Sequence, residues 1–172
     1  MMLAVLVFVL FLIVYWQGVS PAVFGGDAGD IILSYFSGGI AHPPGYPLNT
    51  LLGFLLTRVI PGSNFAFRAD FVSALYMAAV VSLVYLLVDK LTKNVFVAAA
   101  SSFTLGFAPL FWLYAHVAEV FQLTLLLVAA SVLFLFKWFL ASSFRTGQGP
   151  FLSVFLFGLS VFHHQTTIFL MT

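Results

Sequence analysis

The segment "FAFRADFVSALYMAAVVSLVYLLV", Phe65 to Val88, followed at once by "DKLTKN" at 89–94, decides the fold. It is long enough to cross the roughly 30 Å hydrocarbon core of a bilayer, which takes about 20 apolar residues. The polar stop that follows carries Lys90 and Lys93. The rest of the chain reads the same way. Of its 172 residues, 63% are hydrophobic and 6% charged, and the mean hydropathy is +1.16. An ordinary soluble domain has about 25% charged residues. This composition predicts an all-α polytopic membrane protein and gives no basic surface for nucleic acid. With no cysteine, disulfide frames, thiolate nucleophiles and cysteine-ligated metals are excluded.

Working outward from 65–88, spans are predicted at about 1–16, 95–110, 119–139 and 151–172. Met1 to Trp16 lacks both a basic residue before it and a small-residue cleavage site after it, so it reads as a span rather than a cleaved signal. Residues 17–64 are rich in Gly, Pro and Ser and form a loop outside the membrane. Within it, Leu48, Leu51, Leu52, Leu55, Leu56 and Val59 make one apolar helical face, with Asn49, Gly53 and Thr57 opposite. Pro47 suits the first turn of this helix and Pro61-Gly62 ends it. It is amphipathic and short, so it is predicted to lie on the membrane. The chain stops at Thr172 without a polar tail, which reads as a fragment.

Lys90 and Lys93 flank one short turn, and Lys137 and Arg145 another, which places both turns in the cytoplasm. The 17–64 loop, the 110–118 turn and the far end of the last span then share the outer side. At about 1.5 Å per residue, His163 and His164 lie roughly 20 Å along that span, toward the same side. All four histidines and three of the five acids, Asp27, Asp30 and Glu119, gather there.

Each of these groups has a structural reading beside a chemical one. In "GGDAGD", residues 25–30, Asp27 fits a helix N-cap whose carboxylate accepts backbone N–H groups, with Asp30 in the first turn. The same spacing puts both carboxylates on one face, where one can serve as a general base. In "HPPGYP", residues 42–47, the prolines and Gly45 make a rigid turn that anchors the loop or pins His42 and Tyr46 beside the aspartates. His116 and Glu119 form H-x-x-E, a metal-clamp spacing without a third ligand. Glu119 also suits a helix N-terminus. "HHQTT", residues 163–167, places strongly polar groups in a span, where they face a cavity or the bundle interior. Arg58 and Arg68 stand on the outer side against the positive-inside pattern, and Arg68, which opens a span, is the better match for a phosphate.

In order along the chain, "GGDAGDIILSYFSGGIAHPPGYPLNTLLGFLLTRVIPGSNFAFRADFVSAL", "LVYLLVDKLT", "FAPLFWLYAHVAEVFQLT" and "FGLSVFHHQTT" resemble the amino-terminal half of membrane proteins related to protein O-mannosyltransferases, within the GT-C glycosyltransferases. The family pattern reads roughly G-D-S-G-E before H-P-P-G-Y-P, so Asp27 matches its aspartate and Asp30 stands at its glutamate. The resemblance implies a GT-C-like helix bundle whose first outer loop carries the catalytic acid. It implies transfer of a sugar from a polyprenyl-phosphate donor to a hydroxyl, that of protein Ser or Thr, on the non-cytoplasmic face of a bacterial inner membrane or the endoplasmic reticulum. Asp27 and Asp30 would be catalytic, and His42, Tyr46, Arg68, Glu119, His163 and His164 would bind substrate. The lipid-linked donor is a substrate rather than a cofactor, and divalent metal stays open. The partners implied are the bilayer, the donor and a hydroxyl acceptor. A non-catalytic subunit or truncated remnant, a transporter segment and a metal-dependent hydrolase are the competing readings.

Overall fold

A computed structural model describes residues 1–140 and 148–171; Arg145, read above as a cytoplasmic marker, lies outside them. All regular structure among the described residues is helical, with no strand among them. The helices are α1 Met2–Trp16, α2 Ala28–Ser37, α3 Pro47–Val59, α4 Phe65–Thr92, α5 Val95–Gly106, α6 Pro109–Tyr114, α7 Phe121–Leu140 and α8 Gly149–His163, followed by a 3₁₀ segment, Gln165–Met171. The fold is that of a membrane helix bundle. α4 and α7 are each long and apolar enough to cross a bilayer; α1, α5 and α8 are shorter apolar helices.

α4 starts where Asn64 accepts the backbone N–H of Phe67 at 2.9 Å and ends at Lys93, whose φ is +53°. Asn94 then caps α5, accepting from Phe96 and Val97. This central helix packs α1, α5 and α7 around it. One face meets Phe11 and Tyr15 of α1 through Ala74, Met77, Ala78 and Val81. The other meets Ile31 and Tyr35 of α2, Val120 and Leu123 through Ala69, Val72 and Tyr76. Small residues let backbones approach, which drives helix association where lipid removes the hydrophobic preference for an interior. Gly106 is an instance: a Cβ there would meet the Phe11 ring at 2.2 Å, and the Tyr15 hydroxyl donates to its carbonyl at 2.9 Å.

Two helix ends differ from the expected spans. The 95–110 interval is helical only to Gly106, and Pro109 opens a new helix rather than closing the old one. Proline lacks the N–H that a first helical turn leaves unused and presets φ for it. The 151–172 interval is helical only to His163, because His164 is extended at φ −141° and ψ 112°. Polar side chains of "HHQTT" take up local partners there. The Thr167 hydroxyl donates to Ser160 O, and His164 Nδ1 pairs with the Thr166 hydroxyl.

α3 has the bounds that Pro47 and Pro61-Gly62 imply, but its faces are used in an unexpected sense. Asn49, Thr50, Gly53 and Thr57 are buried, while Leu51, Leu55 and Val59 are 55%, 52% and 75% exposed. The polar and small residues therefore face the protein, Leu48, Leu52 and Leu56 pack at its edge, and Leu51, Leu55 and Val59 face outward, as for a helix bathed in lipid. Arg58 clips this helix to the end of α2 by donating to the carbonyls of Tyr35 and Phe36. Gly53 permits the close approach, since a Cβ would lie 2.3 Å from the Tyr35 ring. Gly53→Ala is expected to push α3 off α2 and destabilise the fold by about 1–3 kcal/mol, read as a lower unfolding temperature in detergent. An unchanged temperature would contradict this packing.

Candidate active site

The site begins in the turn before α2, where Gly26 adopts φ +74°, a conformation glycine reaches without steric cost. Asp27 occupies the N-cap, yet its side chain makes no capping hydrogen bond. That corrects the capping reading, and leaves a carboxylate whose side chain is 64% exposed. One turn on, Asp30 Oδ2 accepts the backbone N–H of His42 at 2.7 Å and faces His42 Nδ1 at 2.8 Å. A carboxylate so placed takes the Nδ1–H, which leaves Nε2 as the free imidazole nitrogen. Nε2 stands 3.7 Å from Asp27 Oδ2. The two aspartates thus embrace one imidazole, the first exposed and the second orienting it.

The backbone and side-chain hydrogen bonds from His42 hold the Asp30 carboxyl below the usual carboxylate range. A lowered value in the folded protein means that this contact stabilises the turn above the ordinary value of about 3.9 and is lost as the pH falls through the lowered one. Limited proteolysis of the 38–46 segment with an acid-tolerant protease should show protection at neutrality and at pH about 5, with faster cutting only below the ordinary range. Cutting that accelerates between neutrality and pH about 5 would contradict the assignment.

The "HPPGYP" turn carries the arrangement across to the last helix. Gly45, at φ +97°, donates to His42 O at 2.8 Å, and Tyr46 takes φ +42° as the residue before α3. Its ring meets His42 edge-on at 5.4 Å, His163 edge-on at 5.8 Å, and stacks on His164 at 5.8 Å. Tyr46 thereby bridges residues separated by more than a hundred positions. Burial first, then the charges of Asp27 and Glu119, push its hydroxyl pKa up. Glu119 lies in the turn before α7, half-buried, and burial followed by the nearby Asp27 charge raises its carboxyl above the usual range. Two carboxyls are driven in opposite directions, Asp30 down and Glu119 up, as in sites that keep separate acid and base. His163 is 1% exposed and its Nε2 donates to Val120 O at 3.1 Å.

The structure brings together Asp27, Asp30, His42, Tyr46, Glu119, His163 and His164, but leaves two expected partners elsewhere. His116 turns toward α1, with its Nδ1 at 2.6 Å from Trp112 O and its ring edge-on to Tyr15 at 5.7 Å. Its H-x-x-E spacing is therefore not a shared clamp with Glu119, and among the described residues no group of three or more His, Cys, Asp or Glu side chains is placed to hold a metal. Arg68 donates to Asn64 O and Thr57 O, with its guanidinium over the Phe65 ring, and among the described residues it pairs with no carboxylate.

Sequence reasoning missed Asp70 and Gln122. Asp70 is fully buried, and its Oδ1 accepts Ala118 N at 2.8 Å. Gln122 donates to Tyr114 O and Val117 O. The signal for Asp70 was available in "FRADFVSAL": a carboxylate in an apolar span is itself unusual.

Two concavities flank the "HPPGYP" turn. A cleft of about 320 Å³ lies between Tyr46 and His163, and an apolar groove of about 500 Å³ runs along α3 past Ile40, Thr50 and Phe54. Pro44 and Pro47 line both. Lys90 and Lys93 sit at the opposite end of α4.

An apolar helix bundle with carboxylates, imidazoles and a tyrosine collected at one end is a membrane-type fold with a polar pocket. The family model described as the Protein O-mannosyl-transferase TMEM260 N-terminal domain matches residues 27–172. The chain belongs to this family. It is 35% identical over 137 residues to Protein O-mannosyl-transferase tmem260 of Dictyostelium discoideum, covering 78% of this chain and 17% of that protein. It is 36% identical over 104 residues to Protein O-mannosyl-transferase TMEM260 of Mus musculus, covering 60% of this chain and 15% of that protein. The chain thus spans less than a fifth of the length of these curated relatives. No solved structure matches it.

Proposed function

We propose that this chain carries the acid-bearing part of a membrane mannosyltransferase site of GT-C type. In this reading the site moves mannose from a polyprenyl-phosphate donor to a hydroxyl of protein Ser or Thr on the non-cytoplasmic face. The relatives' names support mannosyl transfer. The observation that carries the reading is the pair of aspartates about His42, faced through Tyr46 by two histidines from the far end of the chain.

The proposed chemistry needs little more than this. Asp27 takes the proton of the acceptor hydroxyl as its oxygen bonds to the anomeric carbon. The carbon–oxygen bond to phosphate breaks, and polyprenyl phosphate departs with the electron pair. A phosphate leaving group needs little protonation, so the demand falls on the base and on groups that steady negative charge. Asp30 holds His42 with Nε2 toward Asp27, ready to receive the proton that the carboxylate collects. In this reading Tyr46 and His163 line the cleft with Glu119 and His164 beside them, and Arg68 meets phosphate only by leaving the Asn64 and Thr57 carbonyls that hold it here. The apolar groove on α3 gives the prenyl chain a wall continuous with the lipid-facing leucines. The basic residues at the other end of α4 support the outward placement of the pocket.

The test is transfer by the full-length protein in lipid nanodiscs, with mannosyl phosphoryl polyprenol and a Ser/Thr-rich peptide, scored by mass spectrometry. Hexose on the peptide is expected with the lipid donor and not with a nucleotide sugar. No transfer from the lipid donor, or transfer from the nucleotide sugar alone, would overturn the reading.

A further inference from the structure

The turn that presents Glu119 has almost no freedom. Ala115, Val117, Ala118 and Val120 are 0%, 5%, 0% and 3% exposed, although the segment belongs to no helix. A buried irregular segment must find partners for its backbone groups. Gln122 supplies donors for the Tyr114 and Val117 carbonyls, and His163 donates to the Val120 carbonyl. The Ala118 N–H is taken by Asp70, from a different helix and 48 residues away in the chain. Ala118 and Val120 are the two neighbours of Glu119, so the residue is held on both sides, by α4 and by α8.

We infer that Asp70 is a positioning residue: its carboxyl oxygen anchors the Ala118 N–H, fixing where Glu119 faces Asp27 and where the Val120 carbonyl receives His163. The catalytic part of this inference rests on the reading under Proposed function; the anchor does not. Only Oδ1 of Asp70 has a partner, while Oδ2 is buried without one. The turn therefore uses the acceptor and not the charge. Asparagine, which keeps an oxygen acceptor of the same reach, replaces it; leucine, of similar size, does not.

Asp70→Asn and Asp70→Leu in the full-length protein, reconstituted in nanodiscs, separate these roles. Amide hydrogen exchange over residues 115–120 is expected to quicken about tenfold or more in Asp70→Leu, where a buried donor loses its acceptor, and to stay near wild type in Asp70→Asn. The middle of α7 serves as the internal reference. In the transfer assay Asp70→Leu should lower kcat by about tenfold to a hundredfold, the scale of a small misplacement of site groups. KM for the lipid donor should change little, and Asp70→Asn should restore kcat. Unchanged exchange in Asp70→Leu overturns the anchor. An Asn variant as impaired as the Leu variant overturns the acceptor role, and quickened exchange with undiminished kcat overturns the link to catalysis. If the wild-type protein transfers no sugar, the functional reading fails while the exchange result still decides the anchor.

Discussion

Asp27→Asn in the full-length protein is expected to cut mannose transfer from the lipid donor by about a thousandfold, within the range that a positioned general base contributes. The fold should survive, because the Asp27 side chain makes no capping hydrogen bond and is largely exposed. Asparagine keeps the size and loses the basicity. Membrane insertion and unfolding temperature should match wild type while turnover collapses. Near-wild-type turnover in this variant would remove Asp27 from the chemistry.

His42→Phe should lower turnover by about a hundredfold. Phenylalanine preserves an aromatic edge against Tyr46, whose ring lies 5.4 Å away, and the backbone N–H at 42 still reaches Asp30 Oδ2. The variant removes the nitrogen that faces Asp27 and the donor that Asp30 orients, while the backbone bond, the larger of the two that hold Asp30, is kept. The loss should appear in kcat rather than in KM for the lipid donor, because the imidazole is assigned to proton handling. A loss confined to KM would mean that His42 binds substrate instead.

The parts of this arrangement that could be read from the sequence were those set by local chemistry. Proline at 47 and the Pro61-Gly62 pair bound α3 because proline fits a first turn and cannot continue a helix. The apolar runs marked where helices fall, since a long apolar stretch satisfies its backbone most readily as a helix. Hydrophobic pattern could not say which face of α3 turns inward. In a bilayer Leu51, Leu55 and Val59 have a solvent of their own, so the buried face is the one carrying Asn49, Gly53 and Thr57. Nor could spacing choose between a capping Asp27 and one directed at His42, because i to i+3 suits both. The choice is made by the 42–47 turn folding back onto α2.

Long-range partners were illegible for a further reason. His116 stands three residues from Glu119 but is claimed by Tyr15 and Trp112, with Gly18 leaving room for its ring. Asp70 serves an amide 48 positions on, and no periodicity encodes that pairing. The break at His164 was equally hidden. Apolar residues stand on both sides of the polar 163–167 stretch, so it reads as polar groups within one span, whereas its hydroxyl and imidazole groups take local partners and α8 ends at His163.

The measurement that bears most directly on the whole account is a cross-link between the early loop and the last helix. This chain contains no cysteine, so Tyr46→Cys with His164→Cys introduces its only pair within these 172 residues. The rings they replace stack at 5.8 Å. In intact membranes a short bifunctional thiol reagent is predicted to join them, and a membrane-impermeant reagent added from the non-cytoplasmic side to block the link. Absence of the link, or blocking only from the cytoplasmic side, would contradict a single outward pocket built from both ends of the chain.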